Sequence, residues 1–223
     1  MHGADSVVRA MLIRLLRPDD HGAVGELTVE AYTTVEPATV DTGYDDELRD
    51  VAARSEGVDI LVAVDDGPDD GPEDGPDDGP EDGPAPGHGP DARIVGAVTY
   101  VPGPESPAAE FTDEDAAGIR MLAVAVDAQG RGVGEALTLA CVDRARAAGR
   151  GQVILHSTDN MTAAHRLYLR LGFERDTDLD WEGEPGLWLR GFRFRFDGAR
   201  PATGRAASSG DGRAQAVEQG GAG

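Results

Sequence analysis

Apolar and polar positions recur along this chain with two different periods, and the changes of period mark its elements. "MLIRLL" (11–16) is an apolar run of strand length, and Pro18 with Asp19 then supplies a helix start. "AVGELTVEAY" (23–32) and "DDELRDVAARS" (45–55) space their apolar residues three and four apart, as one face of a helix does. "VDILVAV" (58–64), "RIVGAVTYV" (93–101), "IRMLAVAV" (119–126) and "QVILHS" (152–157) read as further strands. Positions 133–148 carry Val133, Leu137, Cys141 and Ala145 on one stripe and stop at Gly149, and "TAAHRLYLRLG" (162–172) is a shorter helix closed by Gly172. "LWLRGFRFRF" (187–196) alternates, with Phe192, Phe194 and Phe196 on one face, as an edge or hairpin strand does. This order predicts an α/β (α+β) domain over 11–197 with a mixed, mostly antiparallel twisted sheet flanked by helices.

Three stretches fall outside the pattern. Residues 1–10 read as a loose leader, and 198–223 as a disordered tail rich in Gly, Ala and Ser. Between two strands lies "DGPDDGPEDGPDDGPEDGP", within 66–90, where Pro removes a donor, Gly raises the ordering cost and like charges repel. It reads as a disordered surface insert; a calcium role lacks the ligand register of an EF-hand loop, and no metal is expected. The insert also explains the charge. The 223 residues carry a net charge of −22, and residues 65–91 hold eleven Asp and Glu with no Arg or Lys, so half of the imbalance is local. What remains has no basic footprint for nucleic acid. All 20 basic residues are Arg, which fits a high-GC codon bias, with a salt-adapted acidic composition as the alternative. The single Cys141 excludes an internal disulfide and reads as a small core residue. No run reaches the roughly 18 apolar residues of a membrane span, so the expectation is a cytoplasmic protein with no membrane partner, monomer or homodimer.

The chemistry concentrates where a strand hands over to a helix. "LAVAVDAQGRGVGEAL" (122–137) has glycines at 130, 132 and 134 immediately ahead of the helix. Glycine opens backbone angles closed to other residues, and the first amides of a helix lack internal partners at the positive end of its dipole. Together they form a cradle for an anion, typically phosphate; a tight turn with glycines for steric reasons is the plainer alternative. A Walker A loop requires a Lys that the chain lacks, and G-x-G-x-G is not the dinucleotide spacing G-x-G-x-x-G.

"QGRGVG" (129–134) resembles the Q/R-x-x-G-x-G/A signature of the GCN5-related N-acetyltransferase (GNAT) family. The likeness extends through "RMLAVAVDAQGRGVGEAL", "VILHST" and "MTAAHRLYLRLGF", about residues 118–174, and most resembles single-domain acetyltransferases of high-GC bacteria. It implies the GNAT fold and acetyl-CoA as co-substrate. Backbone amides of the turn, from Gln129 and Gly130 through Arg131, Gly132, Val133 and Gly134 to Glu135, would hold the pyrophosphate. The pantetheine arm would pair with Leu122, Ala123 and Val124, and the Arg131 side chain would meet a phosphate or stay solvated.

Tyr168 matches the family tyrosine that faces the CoA sulfur as general acid, a role open to a phenol that stays protonated at neutral pH; the alternative is a Tyr packing its ring in the core. The base is open among His156, at the position where some relatives carry Glu; Glu114 or Asp115 acting through water; and a water chain with no single residue. One departure is Met161, where many relatives have Asn; Asn160 is one residue out of phase. His165 and Arg166 are expected on the solvent side of their helix. The acceptor side draws on Tyr32, Tyr44, Trp181 and Trp188, and the acidic "LDWEGEPG" (179–186) with Asp45 and Asp46 would suit a cationic amine. The acceptor is an amine: small, aminoglycoside-like, amino acid or protein N-terminus. A non-catalytic acyl-CoA sensor and an interaction protein working through its acidic repeat are the competing readings.

Overall fold

The computed structural model describes residues 11–35, 44–65, 92–184 and 186–196; the expectations for the leader 1–10, the insert 66–90 and the tail 198–223 lie outside them. Its strands are β1 (Met11–Leu15), β2 (Asp59–Asp65), β3 (Arg93–Val101), β4 (Ala116–Val124), β5 (Gln152–Thr158), β6 (Glu174–Arg175), β7 (Trp181–Glu184) and β8 (Leu187–Arg195). They form one eight-stranded sheet in the order β1-β2-β3-β4-β5-β8-β6, with β7 also on β8. Every pair is antiparallel except β4 with β5.

That parallel pair shapes the site. Its pairing runs from Ala116 opposite Gln152 to Ile119 opposite Leu155 and stops, although both strands continue. On the other side of β4, Ala97 faces Ala123 and Thr99 faces Arg120, so Val98 alone stands opposite both Met121 and Leu122. This is a β-bulge, and Met121 takes φ 51°, the one positive φ of a non-glycine among the described residues. The extra residue turns β4 away from β5. Beyond the bulge the Ala125 N–H still donates to the Val95 carbonyl, at 3.0 Å. Antiparallel alternation then points the backbone groups of Leu122 and Val124 toward the edge that β5 has left.

The helices are α1 (His21–Val35), α2 (Tyr44–Arg49), α3 (Val51–Arg54), α4 (Val133–Ala147) and α5 (Thr162–Arg170). On α1, Val24, Leu27 and Thr28 are buried; on α4, so are Val133, Leu137, Cys141 and Ala145, the stripe expected from spacing. Burial pushes the Cys141 thiol up to about 12, which suits a core residue. Both helices pack on β3 and β4. No helix among the described residues is long and apolar enough to cross a membrane.

Three expectations are corrected. The pattern over 45–55 is two short helices, because the chain breaks at Asp50, whose carboxylate accepts the Ala53 N–H at 3.0 Å and caps α3. The alternating C-terminal strand forms a hairpin with β7 but is no edge: β5 pairs it on one side and β6 and β7 on the other. Strand β4 also ends at Val124, two residues earlier than its apolar run, where a 3₁₀ turn over Val126–Ala128 begins the glycine loop.

Candidate functional site

The loop after β4 places Gly130 at φ 74° and Gly132 at φ 85°, left-handed angles that favour glycine. A Cβ at either position would meet nothing within 4 Å, so backbone conformation, not crowding, calls for glycine there. Gly132 is the N-cap of α4 and provides no side-chain cap. The first rung of the helix is Ala136 N–H to Gly132 C=O, at 2.9 Å, which leaves the amides of Val133, Gly134 and Glu135 ahead of it. A helix end with donors suited to an anion is thus formed by main chain alone.

Gly96 on β3 sets the depth of this end. A Cβ on it would lie 2.6 Å from Val133 Cγ1 and 2.9 Å from Leu137 Cδ1, so α4 sits where only glycine lets it. One turn into the helix, a Cβ on Gly134 would have Leu167 Cδ2 at 3.4 Å, Val124 Cγ2 at 3.6 Å and Leu122 Cδ2 at 3.8 Å. The helix end, the open edge of β4 and helix α5 therefore meet at one point. Arg170 of α5 also reaches Glu135 at 2.9 Å. Of the loop side chains, Arg131 is held by Asp65 at 2.8 Å and Gln129 Nε2 lies 3.5 Å from the Val124 carbonyl.

Tyr168 follows Leu167 on α5. Its ring is buried between Phe173 and Phe192, each 5.8 Å away between centroids. Burial drives the phenol well above its ordinary range, with a further push from Cys141. Met161 is the N-cap of α5 and donates no side-chain cap. His165 departs from the expected solvent side: its ring packs 5.0 Å from Phe192, and burial lowers its pKa. Arg166 is exposed, as its spacing suggests.

His156 is buried where β5 parts from β4. Its Nε2 lies 3.0 Å from the Leu179 carbonyl, its Nδ1 lies 3.4 Å from Glu110 Oε2, and Trp181 stands edge-on at 6.3 Å. Glu110 also pairs with Arg120 at 2.7 Å. Glu110 is the site carboxylate that sequence reasoning missed. Its signal was indirect: Arg120 interrupts an apolar strand, and a cation there calls for a partner. Glu114 and Asp115 are elsewhere. They are exposed at the opposite end of β4, about 20 Å of extended chain from Arg120, and Asp115 accepts the Gly151 N–H at 2.9 Å.

On the acceptor side Tyr32 and Tyr44 meet edge-on at 6.3 Å. Burial raises the Tyr32 phenol, and Tyr44, Tyr168 and Glu110 raise it further while Arg120 opposes them. Trp188 instead lies on the rim with Arg190 over its ring at 5.9 Å. The acidic loop is largely engaged: Asp180 takes Arg175 at 2.5 Å and the Gly191 N–H at 2.9 Å, and Glu182 takes the Gly186 N–H at 2.6 Å.

Comparisons with known proteins agree with this geometry. Residues 73–173 match the model of the Acetyltransferase (GNAT) family. Mycothiol acetyltransferase of Rhodococcus opacus is 49% identical over 65 residues, 28% of this chain and 21% of that protein. The Streptosporangium roseum mycothiol acetyltransferase is 50% identical over 52 residues, 23% of this chain and 15% of that protein. The matched stretch thus spans about a fifth or less of these relatives. Among solved structures, a GNAT acetyltransferase from Staphylococcus aureus Mu50 superposes with TM-score 0.58 at 13% identity, covering 83% of this chain and 99% of that one. The yncA protein of Salmonella typhimurium, solved with its cofactor acetyl-CoA, superposes with TM-score 0.54 at 20% identity, covering 87% and 99%.

Proposed function

For a chain that belongs to the GNAT family of acetyltransferases, we propose transfer of the acetyl group of acetyl-CoA to a primary amine by direct attack in a ternary complex. The observation that carries this reading is the meeting of Leu122, Val124 and Leu167 around Gly134. It brings an anion-binding helix end, an unpaired strand edge and the helix of a buried tyrosine within one cofactor's length.

The residues divide the work. The amides of Gly130 and of Gly132 to Glu135 receive the pyrophosphate, those of Gln129 and Arg131 being given to the Val126 and Ala128 carbonyls at 3.3 and 3.4 Å, and glycine at 130 and 132 lets the main chain approach it. The open edge of β4 at Leu122, Ala123 and Val124 takes the amide-bearing pantetheine arm as an added strand, which orients the thioester toward the gap between β4 and β5. Acetyl-CoA supplies an activated acyl carbon there.

Two protons must move. The ammonium of the acceptor loses one before attack, and Glu110 is placed to take it. Behind Glu110 stands His156: with its Nε2–H donating to the Leu179 carbonyl, Nδ1 offers a second resting place for that proton. As the C–N bond forms and the C–S bond breaks, the leaving sulfur gains a proton from the Tyr168 hydroxyl, and the second proton of the amine passes through solvent to the resulting phenolate, which restores Tyr168. Burial keeps that phenol protonated at neutral pH.

Calorimetric titration with acetyl-CoA, followed by detection of free thiol over a panel of amines, tests the reading. Binding with thiol release is the expected result. Tight binding with no turnover on any amine would identify a sensor, and no binding would leave the fold without this role.

A further inference from the structure

Among the described residues Arg54, at the end of α3, is the one partly buried arginine with no carboxylate in contact. Arg14, Arg120, Arg144, Arg150, Arg190 and Arg193 are also partly or wholly buried, and each has an acidic oxygen within 3.4 Å. The Arg54 guanidinium instead donates to the Met121 thioether at 3.2 Å and to Thr28 Oγ1 at 3.1 Å. Its Nε is buried without any partner. A thioether is a weak acceptor, and a desolvated cation without a counter-charge is costly. Burial accordingly lowers the Arg54 pKa.

The position of this cation gives it meaning. Met121 is the bulge residue that turns β4 from β5, and Thr28 lies one turn before Tyr32 on α1. Tyr32, Tyr44, Arg120 and Glu47 all bear on the charge of Arg54, Glu47 being the one carboxylate among them and too far to form an ion pair with it. Arg54 thus touches Met121, the neighbour in sequence of Arg120, and Arg120 pairs with Glu110 at 2.7 Å. The buried Nε–H leaves this guanidinium one donor without a partner, and a carboxylate entering beside Thr28 would complete a planar fork with it.

We propose that Arg54 binds a carboxylate on the acceptor, so that the amine acetylated here is a small molecule carrying its own carboxylate, such as a free amino acid. Glu110 then faces the ammonium end and Arg54 the anionic end. This rests on the acetyl-transfer reading above and selects within it.

The test compares matched compounds on the wild-type enzyme: L-amino acids, their C-terminal amides and the corresponding decarboxylated amines, with thiol release as readout. Carboxylates should exceed amides in kcat/KM by roughly tenfold to a hundredfold, the worth of one charge-assisted contact. In Arg54→Gln that preference should disappear, chiefly through KM for the carboxylate, while calorimetric affinity for acetyl-CoA stays unchanged; Arg54→Lys should restore part of it. Amides or decarboxylated amines turned over as well as the acids by the wild type would overturn the assignment of Arg54 with acetyl transfer intact. Acetyl-CoA binding with no turnover of any compound would overturn the transfer reading itself, and this inference with it.

Discussion

Leu167 Cδ2 lies 3.4 Å from the place a Cβ on Gly134 would occupy, which joins the helix of Tyr168 to the end of the glycine loop. In the proposed acetyl transfer, cofactor binding and proton transfer would share this one packed contact.

That contact separates the loop glycines by their reasons. Gly134→Ala adds a methyl group in ordinary contact with Leu167, Val124 and Leu122 and should leave both stability and acetyl-CoA affinity within about 0.5 kcal/mol. Gly132→Val forces a β-branched residue to φ 85° and should cost about 1–3 kcal/mol, with acetyl-CoA affinity reduced. Thermal unfolding and titration of the two variants check this, and equal behaviour would contradict it.

Tyr168→Phe should lower kcat by roughly a hundredfold or more, the scale of a lost general acid, while acetyl-CoA binds as before. Because the acid is the protonated phenol and burial raises its pKa, ionisation of Tyr168 should cause no loss of rate below about pH 10, the ordinary tyrosine value. A fall between pH 8 and 10 that is present in the wild type and absent in the variant would contradict the raised pKa, and an unchanged kcat in the variant would remove Tyr168 from the role.

Gly96 supports the site from the opposite strand. Gly96→Ala brings a methyl group 2.6 Å from Val133 Cγ1 and should destabilise the protein by about 1–3 kcal/mol. The relief available is a shift of the first turn of α4, so acetyl-CoA affinity should fall as well. Unchanged affinity in a destabilised variant would mean that the turn is anchored independently of β3.

Asp20 predicts an acid-side dependence of stability. Two hydrogen bonds from Arg14, at 2.6 and 3.0 Å, hold its carboxyl below the usual range against the opposing effect of burial. A depressed folded-state pKa contributes stability above the unfolded value of about 4, lost as pH falls through the folded value. Asp20→Asn should flatten denaturation curves compared between pH 5 and pH 2, and identical pH slopes for both proteins would refute this assignment.

Read along the chain, local patterns set the strands, the long helices, the α4 stripe of Val133, Leu137, Cys141 and Ala145, and the glycine loop with its positive φ angles. Each depends on neighbours within a few residues, where periodicity and glycine's conformational range act directly. The break at Asp50 and the pairing of both sides of β8 were not legible. The first turns on one side-chain cap within a continuous helical pattern, and the second on which strands come to lie beside β8.

The same division holds at the site. The sequence by itself determined a strand, an anion-binding turn, a helix and a tyrosine in the order that acyl transfer from a phosphate-bearing carrier needs. Only the tertiary structure decided which charges stand near them: it sent Glu114 to the far end of β4, brought Glu110 to His156 and Arg120, and left Arg54 against Met121 without a carboxylate. The physical reason is range. Backbone conformation is settled by adjacent residues, whereas a charge is paired or left alone by groups that meet only when distant segments pack.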